Sequence, residues 1–107
     1  MKAEERILHE YRSLVRNKRY TEKRLRRVKS EQSRIKCRKM IAHYDAEIRK
    51  RRGKVERYVR DISPHYVREI IRLRYIEGLA WEQVADCIGG NNTGSGVRMI
   101  ARRWFDG

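Results

Sequence analysis

The apolar residues near the end of the chain repeat every three or four positions, which predicts a helix from residues 93–95 to about residue 105. Its predicted inward face holds Val97, Ile100, Ala101 and Trp104. The opposite face then presents Ser95, Arg98, Met99 and Arg102. Because an arginine on an exposed helix can form two hydrogen bonds with guanine in the major groove of DNA, Arg98 and Arg102 are the candidate base-contacting residues.

Other polar residues around this helix suit the phosphate backbone of DNA. At the predicted amino end, hydroxyl and backbone N–H groups of Asn92, Thr93 and Ser95 could bind a phosphate. The further candidates for phosphate contact are Arg72, Arg74 and Arg103. Together these side chains predict a surface that binds DNA.

No group of side chains has the spacing of a catalytic or metal site. Cys37 and Cys87 lack ligand spacing, and we expect free, buried thiols in a reducing cytoplasm. His43 lies six positions after Cys37, which is a poor arrangement for a metal on one helix. The glycine-rich residues 89–96 lack the lysine of a Walker loop. We therefore expect no enzyme, no metal and no cofactor.

The charge of the chain predicts a polyanionic partner. Lys and Arg number 28 against 14 Asp and Glu, for a net charge of +14. Almost all of the excess lies in residues 1–62. Nucleic acid is the first candidate and an anionic membrane surface the second. No apolar stretch is long enough to span a bilayer and residues 1–16 do not resemble a signal peptide, so a cytoplasmic protein without a membrane partner is expected.

Residues 1–62 predict two long helices, because they contain two apolar stripes that are out of phase with each other, with the change near residues 29–34. Ser30 and Ser33 are candidate caps at this break. The two helices could fold back as an antiparallel hairpin, which we favour, or form a coiled coil with a second subunit. The stripes consist of Ile7, Tyr11, Leu14, Leu25 and Val28 in the first helix, and of Cys37, Ile41, Tyr44, Ile48, Val55, Tyr58 and Ile62 in the second.

These two helices are also strongly basic. Residues 12–29 carry nine basic side chains against one acidic, and residues 49–54 carry five against none. Such a segment could clamp the DNA backbone beside the base-reading helix, which would make binding steeply dependent on salt. The predicted clamp residues are Arg16, Arg19, Arg24, Arg27, Arg51 and Arg52.

A second unit begins at Ser63, a predicted N-cap, followed by Pro64 in the first helical turn. The first helix of this unit is predicted to end at Gly78, and the next covers Trp81–Ile88. Ala85 and Gly89 occupy the contact and turn positions of a helix-turn-helix. The predicted fold is therefore all-α, with a helical hairpin or coiled coil at residues 1–62 and a trihelical helix-turn-helix domain at residues 63–107.

The segment SPHYVREIIRLRYIEGLAWEQVADCIGG resembles the region of sigma-70 family sigma factors that reads the −35 promoter element. Within it, LRYIEGLAWEQVA is similar to the family signature of Arg-Tyr, Gly-Leu, Glu and Ile/Val-Ala. Short sigma-like regulators of phages and mobile elements of Gram-positive bacteria, such as late-gene activators, also place a basic helical segment before this motif. The resemblance covers about residues 63–104. It implies a DNA-reading head, a role in transcription initiation, RNA polymerase as a partner, and a location in the bacterial cytoplasm or nucleoid.

The chain departs from that family at three points. Ala80 stands where the family has a Ser or Thr cap, the turn at residues 89–96 is longer, and no segment resembles the region that melts the −10 element. A complete sigma factor is therefore not expected. Two alternatives stay open: a non-specific RNA- or DNA-binding protein whose basic helices grip the backbone, and a small terminase-like packaging adaptor that oligomerises through its long helices.

Overall fold

A computed structural model describes residues 1–107 as five α-helices without a strand, which confirms the all-α class. A π-helical turn, Arg72–Ile76, extends the third helix. The helices are α1 (Ala3–Arg27), α2 (Glu31–Arg60), α3 (His65–Ile71), α4 (Trp81–Ile88) and α5 (Gly94–Asp106). None of them is both long enough and apolar enough to cross a membrane.

Helices α1 and α2 pack side by side in opposite directions. The Nε of Arg52 donates to the hydroxyl of Tyr11 at 3.4 Å, and the Nζ of Lys18 lies 2.6 Å from Oδ1 of Asp45. The contacts therefore move forward along α1 as they move backward along α2. The break between the helices lies at the predicted position, where the hydroxyl of Ser30 caps α2 by accepting from the backbone N–H of Ser33 at 3.4 Å.

Helix α3 begins later than the sequence suggested. Pro64 occupies the N-cap position, and its carbonyl accepts from the backbone N–H groups of Val67 and Arg68 at 3.1 and 3.2 Å. No side chain caps this helix, so the prediction of Ser63 as the N-cap was wrong. Since the carbonyl of Pro64 starts the helical hydrogen bonds, Ser63 lies outside the helix.

The segment between α3 and α4 starts with a π-helical turn and packs against α1. The backbone N–H of Glu77 donates to the carbonyl of Arg72, five residues earlier, at 3.0 Å, which is a π-helical bond. Gly78 follows with φ of +75°, a left-handed conformation that favours glycine. A Cβ atom at this position would lie only 3.0 Å from Cγ1 of Val15. The turn therefore lies directly against α1.

One hydrophobic core joins both halves of the chain. Leu8 of α1 and Val55 and Val59 of α2 are fully buried in the same cluster as residues from α3, the π-helical turn, α4 and α5. The predicted boundary after residue 62 separates α2 from α3 along the chain, but this core crosses it. The division into two domains stays a prediction. The other buried members are Tyr11, Ile48, Ile62, Val67, Ile70, Ile71, Tyr75, Val84, Ala85, Val97, Ala101 and Phe105.

The buried face of α1 differs from the predicted stripe. Leu8 is fully buried, whereas Ile7 is only partly buried. Glu5 and Thr21 are also buried although they are polar. The hydroxyl of Thr21 donates to the carbonyl of Asn17 at 2.8 Å, which satisfies it inside its own helix. Thr21 lies on the predicted stripe, where it interrupts the apolar residues, whereas the stripe missed Glu5 because it was built from apolar residues.

One of the two predicted buried thiols is in fact exposed. Both cysteines are free, and Cys37 is buried as expected, but Cys87 is exposed. Helix α4 turns Val84 and Ala85 inward, and Cys87 lies two positions after Ala85 on the outer side.

Candidate nucleic-acid interface

Helix α5 is capped and packed closely at its amino end. The hydroxyl of Thr93 accepts a hydrogen bond from the backbone N–H of Gly96 at 3.0 Å. Gly94 is buried, and a Cβ atom there would overlap the side chain of Glu82 in the first turn of α4. The absence of a side chain at Gly94 therefore allows the amino ends of α4 and α5 to meet.

The inward face of α5 consists of Val97, Ala101 and Phe105. Ile100 and Trp104, which the sequence placed in the core, are only partly buried and pack on its edge. Phe105 is buried in the core instead, where its ring packs edge-on against the ring of Tyr75, with centroids 5.9 Å apart. The predicted burial was therefore correct for Val97 and Ala101 and overstated for Ile100 and Trp104.

The outward face of α5 carries Ser95, Arg98 and Met99, all exposed. Arg98 takes part in no ion pair within the chain. Met99 beside it is 53% exposed. A capped helix with a buried opposite face thus holds a guanidinium whose donors are free for an external ligand.

Arg102 lies on the same helix but is held by two carboxylates. Its Nη1 and Nη2 each donate to an oxygen of Glu5 at 2.8 Å, and its Nη2 lies 3.0 Å from Oδ1 of Asp106. The hydrogen bonds from Arg102 lower the pKa of Glu5, and those same bonds raise the pKa of Arg102. A base contact by Arg102 would first require this pair to separate, so Arg98 and Arg102 are not equivalent.

Arg74 is partly buried and stabilises the turn that leads into α4. Its guanidinium carbon lies 4.4 Å from the centroid of the Trp81 ring, in a cation–π contact. Its Nη1 donates to the carbonyl of Leu79 at 3.1 Å, whereas its buried Nε has no partner. Burial, with a contribution from the charge of Arg12, lowers the pKa of Arg74 to about 10.

Two arginines of α1 reach the same turn. Arg12 donates from Nε to the carbonyl of Arg74 at 3.2 Å and from Nη2 to the carbonyl of Leu79 at 3.3 Å. Arg16 donates from Nη1 to the carbonyl of Gly78 at 3.4 Å. Sequence reasoning missed Arg12. The available signal was its place four residues after Leu8, since helical residues four apart share a face.

An open cleft of about 480 Å³ brings several predicted residues together. Its walls include Ser95, Arg98, Met99 and Arg102 of α5, Arg74 of the π-helical turn, Trp81 of α4 and His9 of α1. The remaining predicted DNA-binding residues lie outside it. Asn92 donates to the carbonyl of Gly89 at 2.7 Å in the turn, and neither Arg103 nor Arg72 lines the cleft.

The predicted clamp residues fall into two groups. Arg19, Arg24 and Arg27 are exposed on α1 and take part in no ion pair. The other three already have partners in the chain: Arg51 pairs with Glu47 at 3.0 Å, Arg52 bonds Tyr11, and Arg16 bonds Gly78.

The histidines lie apart from one another. His9 packs edge-on against Tyr75 with centroids 5.1 Å apart, and the Nδ1 of His65 lies 2.6 Å from Nη2 of Arg68. His43 is exposed on α2. No three histidine, cysteine or acidic side chains lie close enough together to hold a metal ion.

No family model, curated protein or solved structure matches this chain. The resemblance of residues 63–104 to the promoter-reading region of sigma factors therefore stays a prediction that rests on the residues themselves.

Proposed function

We propose that this protein is a transcriptional regulator that binds duplex DNA by sequence, with α5 as its recognition helix. In this proposal α3, α4 and α5 form a trihelical helix-turn-helix head, and α1 and α2 form the hairpin that supports it. The observation that carries the proposal is the exposed, unpaired Arg98 on a capped helix whose opposite face is buried. A helix presented in this way can enter the major groove.

The charge distribution supports the same partner. Residues 63–107 carry six basic against five acidic side chains, too little excess for strong attraction to DNA. Residues 1–62 carry 22 against 9. Neutralisation of phosphates by basic side chains supplies most sequence-independent affinity, so α1 and α2 would provide that part while α5 provides the preference for sequence.

RNA polymerase is the proposed protein partner, because the residues that resemble the sigma signature lie in the π-helical turn, the loop after it and α4. Two local features support a working helix-turn-helix despite the departures from that family. The Oε1 of Gln83 accepts from the backbone N–H of Ala80 at 3.0 Å, so the half of a capping box that Gln83 supplies is present although no side chain caps the first turn of α4. Gly89 and Gly90, with φ of +81° and +68°, form the longer turn. The proposed setting is the bacterial cytoplasm.

The direct test is selection of bound sequences from a pool of random duplexes by the full-length protein. The proposal expects one recovered consensus, bound more tightly than its scrambled version. Recovery of unrelated sequences, with equal affinity for both duplexes, would contradict it.

A second candidate is a packaging protein that grips any nucleic acid through α1 and α2. The exposed, unpaired arginines of α1, Arg19, Arg24 and Arg27, favour it, since backbone contacts carry no sequence information. This candidate predicts equal affinity for all duplexes and comparable affinity for RNA. The same selection therefore separates the two functions.

A further inference from the structure

Four arginines from three separate elements lie at the turn that leads into α4 or in the cleft beside it. Arg12 and Arg16 come from α1, Arg74 from the π-helical turn, and Arg98 from α5. Arg12 and Arg16 bond three carbonyls of this turn, and Arg74 and Arg98 line the same cleft. None of the four takes part in an ion pair within the chain. We call these residues the arginine cluster.

These arginines have no carboxylate partner, whereas several other charged side chains of the chain are paired. Arg102 has Glu5 and Asp106, Lys18 has Asp45, and Arg51 has Glu47. In the arginine cluster the charges repel one another, and the neighbouring charges of Arg12, Arg16 and Arg98 each lower the pKa of Arg74. Like charges held close together raise the local concentration of an anion.

Contacts within the chain hold three of the four side chains in place. The ring of Trp81 supports the guanidinium of Arg74, and backbone carbonyls hold Arg12 and Arg16 at one edge. A guanidinium has five N–H donors, of which Arg12 uses two and Arg16 one in its bonds to these carbonyls. Donors that are already oriented lose little conformational entropy when a ligand binds. The cluster therefore has free, oriented donors for an anion.

We infer that the arginine cluster is a binding site for a phosphate group. A guanidinium matches two phosphate oxygens with two parallel hydrogen bonds, which explains four arginines and no lysine. The inference deepens the proposed function and rests on it: the phosphate is one of the DNA backbone, next to the bases that Arg98 contacts. A free phosphate compound has the same chemistry, so the test separates these two sources.

The first arm measures thermal unfolding of the full-length protein with inorganic pyrophosphate, against sodium chloride at equal ionic strength. A ligand that binds only the folded state raises Tm. We expect a higher Tm with pyrophosphate than with chloride, and a smaller difference in Arg16→Gln and Arg98→Gln. Arg57→Gln, an exposed arginine of α2 outside the cleft, should behave as the unmodified protein.

The second arm measures duplex affinity against salt concentration. Arg16→Gln should weaken binding to every duplex by a similar factor, roughly 3- to 10-fold. It should also reduce the log–log salt slope, which is the slope of log affinity against log salt concentration, by about 0.9. Arg57→Gln should leave both values unchanged. Because Arg98 has no ion-pair partner in the chain, Arg98→Gln breaks no ion pair of the fold. Misfolding therefore does not explain a loss of binding in this variant.

The outcomes are distinct. An equal loss of affinity for every duplex in Arg16→Gln supports a backbone phosphate, and an effect of pyrophosphate alone supports a free phosphate compound at the same site. If Arg16→Gln and Arg98→Gln match Arg57→Gln in both arms, the phosphate site does not exist. Failure of the proposed function has another signature: the cluster variants change the salt slope, but no duplex sequence is preferred.

Discussion

The carboxylate of Glu5, in the first turn of α1, accepts a hydrogen bond at each oxygen from the guanidinium of Arg102 on α5, at 2.8 Å for both. The two residues lie 97 positions apart in sequence. Glu5 is 2% exposed, so its charge depends on this partner. The pair joins the beginning of the basic half to the proposed recognition helix.

Replacement of Glu5 should weaken the fold more than replacement of a neighbouring glutamate. Glu5→Gln removes the negative charge and one of the two oxygens that accept from Arg102, and we expect a loss of about 2 kcal/mol in the free energy of unfolding, less than for a fully buried pair. Urea denaturation measures it. Glu4→Gln, in the same turn but exposed, is the control and should change stability by less than about 0.5 kcal/mol. Equal effects of the two substitutions would contradict the importance of the pair.

The same pair predicts a dependence of stability on pH. The hydrogen bonds from Arg102 lower the pKa of folded Glu5 below its ordinary value of 4.5. The stabilisation is therefore fully present above about pH 4.5 and is lost as pH falls through the lower, folded pKa. We expect the difference in unfolding free energy between the unmodified protein and Glu5→Gln to shrink on acidification. A difference that stays constant between about pH 7 and pH 3 would rule out this origin.

The close approach of α1 to the turn before α4 can be tested with two glycines. Gly78 and Gly90 both have positive φ, but only Gly78 has a close neighbour, Val15, at the place of a Cβ atom. Alanine at Gly90 should cost about 1–2 kcal/mol from backbone conformation alone. Alanine at Gly78 should cost more, because the side chain of Val15 must also shift. If Gly78→Ala is no more destabilising than Gly90→Ala in urea denaturation, α1 does not pack on this turn.

The proposed contribution of α1 to DNA affinity is best tested by charge removal. Deletion of residues 1–60 would also remove Leu8 and Val55 from the core and unfold the protein. The triple substitution Arg19→Gln, Arg24→Gln and Arg27→Gln removes three exposed charges instead. It should reduce the log–log salt slope by up to about 2.7, or about 0.9 for each phosphate that is no longer neutralised.

A matched triple on α2 controls for total charge. Lys36→Gln, Lys39→Gln and Arg57→Gln remove the same charge from exposed positions outside the proposed clamp. We expect a much smaller change in slope. The same reduction in both triples would show that net charge acts without a defined clamp.

The sequence predicted the start of α2, the start of α5 and both ends of α4 well because each depends on local signals. Ser30 and Thr93 cap α2 and α5 through side-chain hydroxyls, which can be recognised in the sequence as possible caps. Helix α4 begins and ends at the predicted residues. The pattern of α5 also placed Val97 inward and Arg98 outward.

The contacts between distant residues could not be predicted in the same way. Glu5 looked like one of two acids in an exposed first turn, and only the arrival of Arg102 shows why it is buried. Arg12 and Arg16 looked like members of a solvated basic run, and their carbonyl acceptors belong to a turn more than 60 positions away. Such pairs depend on how α1 packs against α5 and the π-helical turn, which no local pattern encodes.

The most direct test of the central claim is the ratio of duplex affinities for the selected consensus and its scrambled version, measured at one salt concentration. If α5 reads DNA, Arg98→Ala should reduce this ratio by about 5- to 150-fold, as expected when one arginine–guanine pair worth about 1–3 kcal/mol is removed, while Arg57→Ala leaves it unchanged. A ratio that is the same in the unmodified protein and in Arg98→Ala would show that this face of α5 does not read the DNA sequence.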